Sequence, residues 1–299
     1  LLTSIVNMSD DGGSSGRLRS SFGVLPPGDI RRSLVALSNA PAVMNELMRY
    51  RFVRGQELED HSVGNLLLTA LSEIKGSMAE AVRSLGDILN VQGVVLPISK
   101  NSTRIVAEFE DGTVIRGESL ISEGKGRVPS LKIRKIWHEP EAVCEPNAYA
   151  SLLHADLILI GPGDLYTSVI TNLVIPEVQK ALVKTPAKKA YLCNLMTKPG
   201  ETAHFDAAEH VRSLVVSFGR DILDYVIVSN TRFSQSAVAR YAKLGQRPVL
   251  AGRQRAFREI TRAKVILADI GHDTILVRHD ESKLRRHIIK LLAQISRAG

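Results

Sequence analysis

"ADLILIGPGDLYTSVITNL", residues 155–173, runs from a short apolar segment through a glycine-bearing turn into a helical pattern. A strand-length apolar run that opens toward a helix is one half of a βα unit. Working outward, similar short runs stand at 2–8, 94–98, 131–137, 189–193, 224–229 and 265–268. Between them lie helical patterns. "GDIRRSLVALSNA" (28–40) places Ile30, Leu34 and Leu37 on one face, and "HSVGNLLLTALSEI" (61–74) does the same with Val63, Leu66, Leu67, Ala70 and Leu71. Further helices are predicted near 78–90, 172–184, 206–218, 234–243 and 280–297. The alternation predicts an α/β fold with a mostly parallel sheet and helices on both faces. One stretch departs from it: "TRIVAEFEDGTVIRGESLI" alternates with period two about Asp111-Gly112, which predicts a β-hairpin insertion near 103–121.

Composition narrows the function classes. A 299-residue chain with 44% hydrophobic residues can bury a sizeable core. Its two cysteines, Cys144 and Cys193, have neither disulfide-framework nor zinc-site spacing, which fits a reducing cytosol. No apolar run has the length of a membrane span, and the first residues lack the pattern of a signal peptide, so a cytoplasmic protein is expected. The net charge of +8 concentrates late, in "RQRAFREITRAK" (253–264) and "RHDESKLRRHIIK" (278–290), but acids are interleaved and no aromatic set accompanies them. Solvated helix faces are the expectation, and nucleic acid is not the expected partner. No linker or repeat divides the chain, so residues 1–299 read as one domain, with the hairpin insertion at 103–121 and a basic segment at 253–299.

Several loops have the chemistry of an anion site. In "SDDGGSSGRLR" (9–19), Asp10 and Asp11 could hold a divalent cation, while Gly12, Gly13 and Gly16 free backbone amides for phosphate; equally, the aspartates could cap a helix. After the strand at 156–161, Gly161 and Gly163 remove Cβ atoms and Thr167 and Ser168 add hydroxyls, a candidate phosphate cradle that is neither a Walker loop nor GxGxxG. Asp164 would repel phosphate unless it is turned away or meets a cation. In "YLCNLMTKPGETAHFDAAEHV" (191–211), Asn194 suits a base or sugar edge, Lys198 could neutralise phosphate, and Thr197, Glu201 and Thr202 could meet ligand hydroxyls. His204 and His210 read as surface or core-edge residues. In "GVLPPGDIRRSLVALS" (23–38), Asp29 is expected to cap a helix that carries Arg31 and Arg32 in its first turn. Asn65, inside an apolar helix, either ties that helix to a loop or faces a ligand cavity.

Taken in order, "DDGGSSGRLR", "GVLPPGDIRRSLVALS", "HSVGNLLLTAL", "GPGDLYTSVITNL", "NLMTKPGET" and "EHV" make this chain similar to the YvcK-type gluconeogenesis or morphogenesis factors. That group belongs with the CofD-like phospholactate transferases of deazaflavin cofactor synthesis. The resemblance implies a Rossmann-like cytoplasmic protein and extends to about residue 250. For the factor branch it implies binding of a nucleotide diphosphate ligand, a UDP-sugar such as UDP-N-acetylglucosamine, and support of cell shape and envelope synthesis under gluconeogenic growth. Phosphate contacts would fall on Gly12, Gly13, Ser14, Gly16, Gly161, Gly163, Tyr166, Thr167 and Ser168, beside Asn65, with Asn194, Met196 and Thr197 near the nucleoside. The alternative it implies is a magnesium-dependent 2-phospho-L-lactate transferase, with Asp10 and Asp11 as catalytic and metal-binding residues. No organic cofactor is implied, and a homo-oligomer is left open. The resemblance also implies a further strand and glycine loop ahead of the aspartates. Asp164 stands where the family usually has Ser, and Lys198 where it has Gln.

Overall fold

The computed structural model describes residues 1–124 and 131–298, the side chains of 296–298 excepted. Strands in chain order are β1 (Thr3–Val6), β2 (Val94–Pro97), β3 (Arg104–Phe109), β4 (Val114–Arg116), β5 (Ile133–Glu139), β6 (Leu157–Ile160), β7 (Lys188–Leu192), β8 (Tyr225–Ser229), β9 (Lys264–Ala268), β10 (Gly271–His272) and β11 (Arg278–His279). Helices α1 to α6 are Gly13–Phe22, Gly28–Leu37, Ala42–Arg49, Val63–Lys75, Met78–Ile88 and Glu118–Glu123. Helices α7 to α13 are Pro146–Leu153, Thr171–Leu173, Pro176–Lys184, Ala207–Phe218, Gln235–Ala242, Gln254–Arg258 and Glu281–Ala298, and a π-helical turn, Leu165–Ile170, precedes α8.

The expected α/β architecture is present. β6, β7, β8 and β9 form a four-stranded parallel sheet in that order, and β1 pairs with β2 in parallel from Thr3↔Val94 to Val6↔Pro97. β7 and β8 lie between neighbours and are apolar where they are buried, at Ala190, Tyr191, Leu192, Val226, Ile227 and Val228. One cluster of buried side chains runs from Val6 through Leu85 and Tyr191 to Phe257. Local signals set the helix ends: Ser62 accepts from the Asn65 amide to start α4, Gly76 closes it at φ 77°, and Asp206 with Glu209 forms a capping box on α10.

Four local expectations are corrected. The segment 131–137 is not a parallel strand: β5 pairs antiparallel with β3, so the insertion is a three-stranded sheet, β4-β3-β5. Asp111-Gly112 does make the turn, with Gly112 at φ +84°, but the chain turns helical at Glu118 instead of continuing as strand to 121. Pro176 breaks the helix expected over 172–184, because its ring cannot continue the preceding turn, and helical structure already begins at Leu165. Asp29 lies in the first turn of α2 without capping it and pairs instead with Arg32.

Candidate functional site

The loops that follow β1, β6 and β7 converge, and Asn7 Nδ2 links two of them by donating to the Thr167 carbonyl at 3.0 Å. "SDDGGSSGRLR" becomes a short turn and the start of α1. Asp10 Oδ1 accepts from the Gly12 amide at 3.0 Å, and the helix begins at Gly13. Gly16 is required there: a Cβ would lie 2.1 Å from the Asp11 carbonyl oxygen. Asp11 turns toward the insertion. Its Oδ2 accepts from the Glu118 amide at 3.0 Å, and its Oδ1 from the Ser119 amide at 2.9 Å and the Ser119 hydroxyl at 2.8 Å. Asp11 thus holds the start of α6, while Asp10 Oδ2 accepts no hydrogen bond among the described residues. The helix-capping reading is the one Asp11 satisfies, though the helix is 107 residues away.

Ser14 and Asn65 do meet. Asn65 Nδ2 donates to Ser14 Oγ at 3.0 Å, and His61 Nδ1 lies 3.0 Å from the same oxygen. Asn65 therefore ties α4 to the start of α1, the first of its two readings.

The cradle after β6 is organised by a carboxylate. Glu201 Oε2 accepts from the amides of Tyr166 (2.8 Å) and Thr167 (3.2 Å), and Oε1 from the Thr167 hydroxyl (2.7 Å). Those donors are engaged by the protein itself, so the amides of Tyr166 and Thr167 do not face an open anion site. The Ser168 amide donates to the Asp164 carbonyl at 3.0 Å. Gly161 adopts φ +87°, and a Cβ on Gly163 would stand 3.0 Å from that of Ser168, so both glycines serve the tight turn. Asp164 meets its cation in Lys198, with Nζ to Oδ2 at 3.0 Å. Burial alone would lower the Lys198 pKa, but Asp164, Glu201 and Glu118 together raise it.

Carboxylates crowd this region. Burial pushes Glu118 up to about 7, and Asp10, Asp11, Glu201 and Asp164 push the same way. Burial, then Asp164, also raises Glu201 above the usual carboxylate range, against the hydrogen bonds from Thr167 and Tyr166. The start of α1, the start of α6 and the Asp164–Lys198 pair therefore share one electrostatic neighbourhood. No group of three His, Cys, Asp or Glu side chains among the described residues has metal-holding geometry. Neither thiol suits nucleophilic chemistry: burial raises Cys144 to about 11 and Cys193 to about 12.

Beside Asp164 a cavity of about 430 Å³ opens at the ends of β6 and β7. One wall carries Gly163, Asn194, Met196, Thr197 and Lys198, and the other carries Tyr241, Gln246, Arg278 and His279. Asn194 is half-buried, donates to the Gly163 carbonyl at 2.7 Å, accepts from the Tyr191 hydroxyl at 3.4 Å, and keeps a second N–H and one acceptor lone pair for a ligand. Thr197 is closed into a bridge with Arg247, and the Thr202 hydroxyl accepts from the Lys198 amide at 2.9 Å, so both shape the loop. His204 is exposed and His210 is buried against Phe205, as expected of surface and core-edge residues. The second wall was not legible in the sequence. Arg278 and His279 sit in a segment where basic residues are frequent and no motif marks them, and only β10 pairing with β11 brings them here. Burial lowers the His279 pKa against a backbone hydrogen bond to Cys193, and its Nε2 has no partner among the described residues. Among the described residues no helix is long and apolar enough to cross a membrane.

Comparison with known proteins agrees with this architecture. The family model described as 2-phospho-L-lactate transferase CofD matches residues 1–270. A gluconeogenesis factor of Bacillus subtilis is 38% identical over 300 residues, covering 98% of this chain and 91% of that protein. A putative gluconeogenesis factor of Nostoc sp. is 41% identical over 292 residues, 97% of this chain, which spans only 63% of the Nostoc protein. A putative gluconeogenesis factor of Aquifex aeolicus is 39% identical over 295 residues, 97% of this chain and 88% of its own. A crystal structure of a Bacillus halodurans protein superimposes with a TM-score of 0.91 at 36% identity, covering 96% of this chain and 91% of that one. With the match running through the α1 turn, the cradle after β6 and the loop after β7, the chain belongs to the CofD family and stands beside the gluconeogenesis factors within it.

Proposed function

We propose that this protein is a nucleotide-sugar-binding regulatory factor that supports gluconeogenic growth and, through it, cell shape and envelope synthesis in the cytoplasm. The cavity of about 430 Å³ carries the reading, because it sets Asn194 and Met196 opposite Arg278 and Tyr241. Such a wall pair offers amide hydrogen bonds and an aromatic edge to a nucleoside and a guanidinium to a diphosphate. A UDP-sugar such as UDP-N-acetylglucosamine fits that chemistry, and the gluconeogenesis-factor names of the relatives support the physiological context. Calorimetric titration of the folded protein with UDP-N-acetylglucosamine should give a saturable heat. Arg278→Ala should weaken binding about tenfold to a hundredfold, the effect of losing one charge-assisted contact. No heat at millimolar ligand would overturn the reading.

The second reading is a phospholactyl transferase, and the free Oδ2 of Asp10 is what favours it. Magnesium commonly binds through one or two carboxylates plus substrate phosphates. Asp10 offers an oxygen for that, whereas both Asp11 oxygens are occupied at α6. A transfer assay with a deazaflavin acceptor separates the readings: turnover lost in Asp10→Asn would establish the enzyme.

A further inference from the structure

The wall that brings Arg278 to the cavity is a narrow flap. β10 and β11 share two residue pairs, Gly271↔His279 and His272↔Arg278, and residues 273–277 form the tip between them. The base of this flap is tied firmly. Thr231 Oγ1 accepts from the amides of Ile270 (3.1 Å) and Gly271 (2.8 Å), and Lys283 Nζ reaches the Gly271 carbonyl at 3.1 Å and Asp269 Oδ2 at 2.8 Å. The tip is held differently. Ile275 is 80% exposed and Leu276 is 44% exposed, so packing does little to fix them. Among the described residues, two hydrogen bonds join the tip to the segment of α11. At the start of that helix the Ser234 amide donates to Asp273 Oδ2, and near its end the Val277 amide donates to the Tyr241 hydroxyl at 3.0 Å.

The second of these bonds acts on the residue next to Arg278. The Arg278 side chain is exposed and makes no hydrogen bond or ion pair to protein among the described residues, so only its backbone sets where the guanidinium starts from. A long, rotamer-rich side chain binds well from a fixed backbone and poorly from a moving one, because more freedom is then lost on binding. Tyr241 is itself anchored at its other end. Its carbonyl accepts from the amides of Leu244 (2.9 Å) and Gln246 (3.1 Å), and Tyr241, Gln246, Val277 and Arg278 all line the cavity. Phenylalanine would supply the same ring to that wall. Water can serve a half-buried amide such as that of Val277, so satisfying the amide does not by itself call for a tyrosine. A protein hydroxyl does what water cannot, which is to tie the flap to α11.

We propose that Tyr241 is a positioning residue whose hydroxyl, by holding the Val277 amide, latches the β10–β11 flap and presents the Arg278 guanidinium to an anionic ligand in the cavity. The proposal rests on the nucleotide-sugar reading in taking Arg278 as the group that meets the diphosphate. It adds that the phenol acts through Arg278 and not by touching the ligand.

A double-mutant cycle separates the two roles. Wild type, Tyr241→Phe, Arg278→Ala and the double variant would be titrated with UDP-N-acetylglucosamine and with inorganic pyrophosphate, and amide deuterium exchange would be followed in the free proteins. Tyr241→Phe deletes one oxygen and keeps the ring, so the fold is not at risk. In it the Val277 amide should exchange about tenfold faster, and binding should weaken about threefold to tenfold. In the Arg278→Ala background the same change should alter binding by less than about twofold. An equal loss in both backgrounds would mean that the hydroxyl contacts the ligand itself, and would overturn the proposal. Unchanged exchange at Val277, or no binding of either probe by wild type, would overturn it as well. Coupling seen with pyrophosphate but no heat from UDP-N-acetylglucosamine would uphold the latch and refute the nucleotide-sugar reading; saturable binding of the sugar without coupling would do the reverse.

Discussion

Gly200 and Glu118 show how single residues set the geometry of the convergent loops. A Cβ on Gly200 would lie 2.4 Å from the Ser122 carbonyl oxygen and 2.5 Å from that of Ile121, backbone atoms that have nowhere to retreat. Gly200→Ala should therefore cost about 1–3 kcal/mol in urea unfolding, as overpacked sites do. Glu118 acts through charge. Its folded pKa of about 7 lies above the ordinary glutamate value of 4.5, so its contribution to stability is complete below the lower value and is lost as pH rises through the upper. Glu118→Gln should accordingly melt several degrees above wild type at pH 8 and lose much of that advantage at pH 5, which thermal scans at the two pH values would show. Equal gains at both would mean that the penalty of ionising the buried Glu118 is not the cause.

At the scale of elements, Glu201 stands to the π-helical turn as Asp11 stands to α6: each carboxylate satisfies the first amides of a helix from a distant loop. Glu201→Ala would leave the amides of Tyr166 and Thr167 unpaired in the interior, at a cost of about 2–4 kcal/mol by denaturant titration. Glu201→Gln keeps one acceptor oxygen and should cost less. These pairings explain what the sequence hid. The strands of the parallel sheets were legible because short, largely apolar runs between turn signals read the same in any context, and Asp111-Gly112 announced its own turn, whereas the two-residue strands β10 and β11 left no such run. Candidate residues were legible as residue types, glycines beside hydroxyls and carboxylates. Their assignments were not, because Asp11 finds its partners 107 and 108 residues away and Glu201 finds its own 34 and 35 away. Periodicity is blind at such range. The loop at 9–19 hid a helix start for another reason: glycine and serine are poor helix formers, and the turn depends on Asp10 and on the close approach at Gly16.

Over the whole molecule, the parallel strands set the loops at one end and the late basic segment closes over them. Arg278 and His279 are separated by about eighty residues of chain from Asn194 and Met196, yet all four line one cavity. Arg278 thereby faces the same opening as Lys198, whose charge Asp164 already pairs. Between the two halves stands α6, its first turn gripped by Asp11 and its last carbonyls pressed on Gly200. A six-residue helix in contact at both ends ties the loop at 9–13 to the loop at 198–202, so the two are expected to open together. The amides these carboxylates hold, Glu118 and Ser119 at one clamp and Tyr166 and Thr167 beyond the other, should lose deuterium protection at a common rate. Asp11→Asn should quicken all four together.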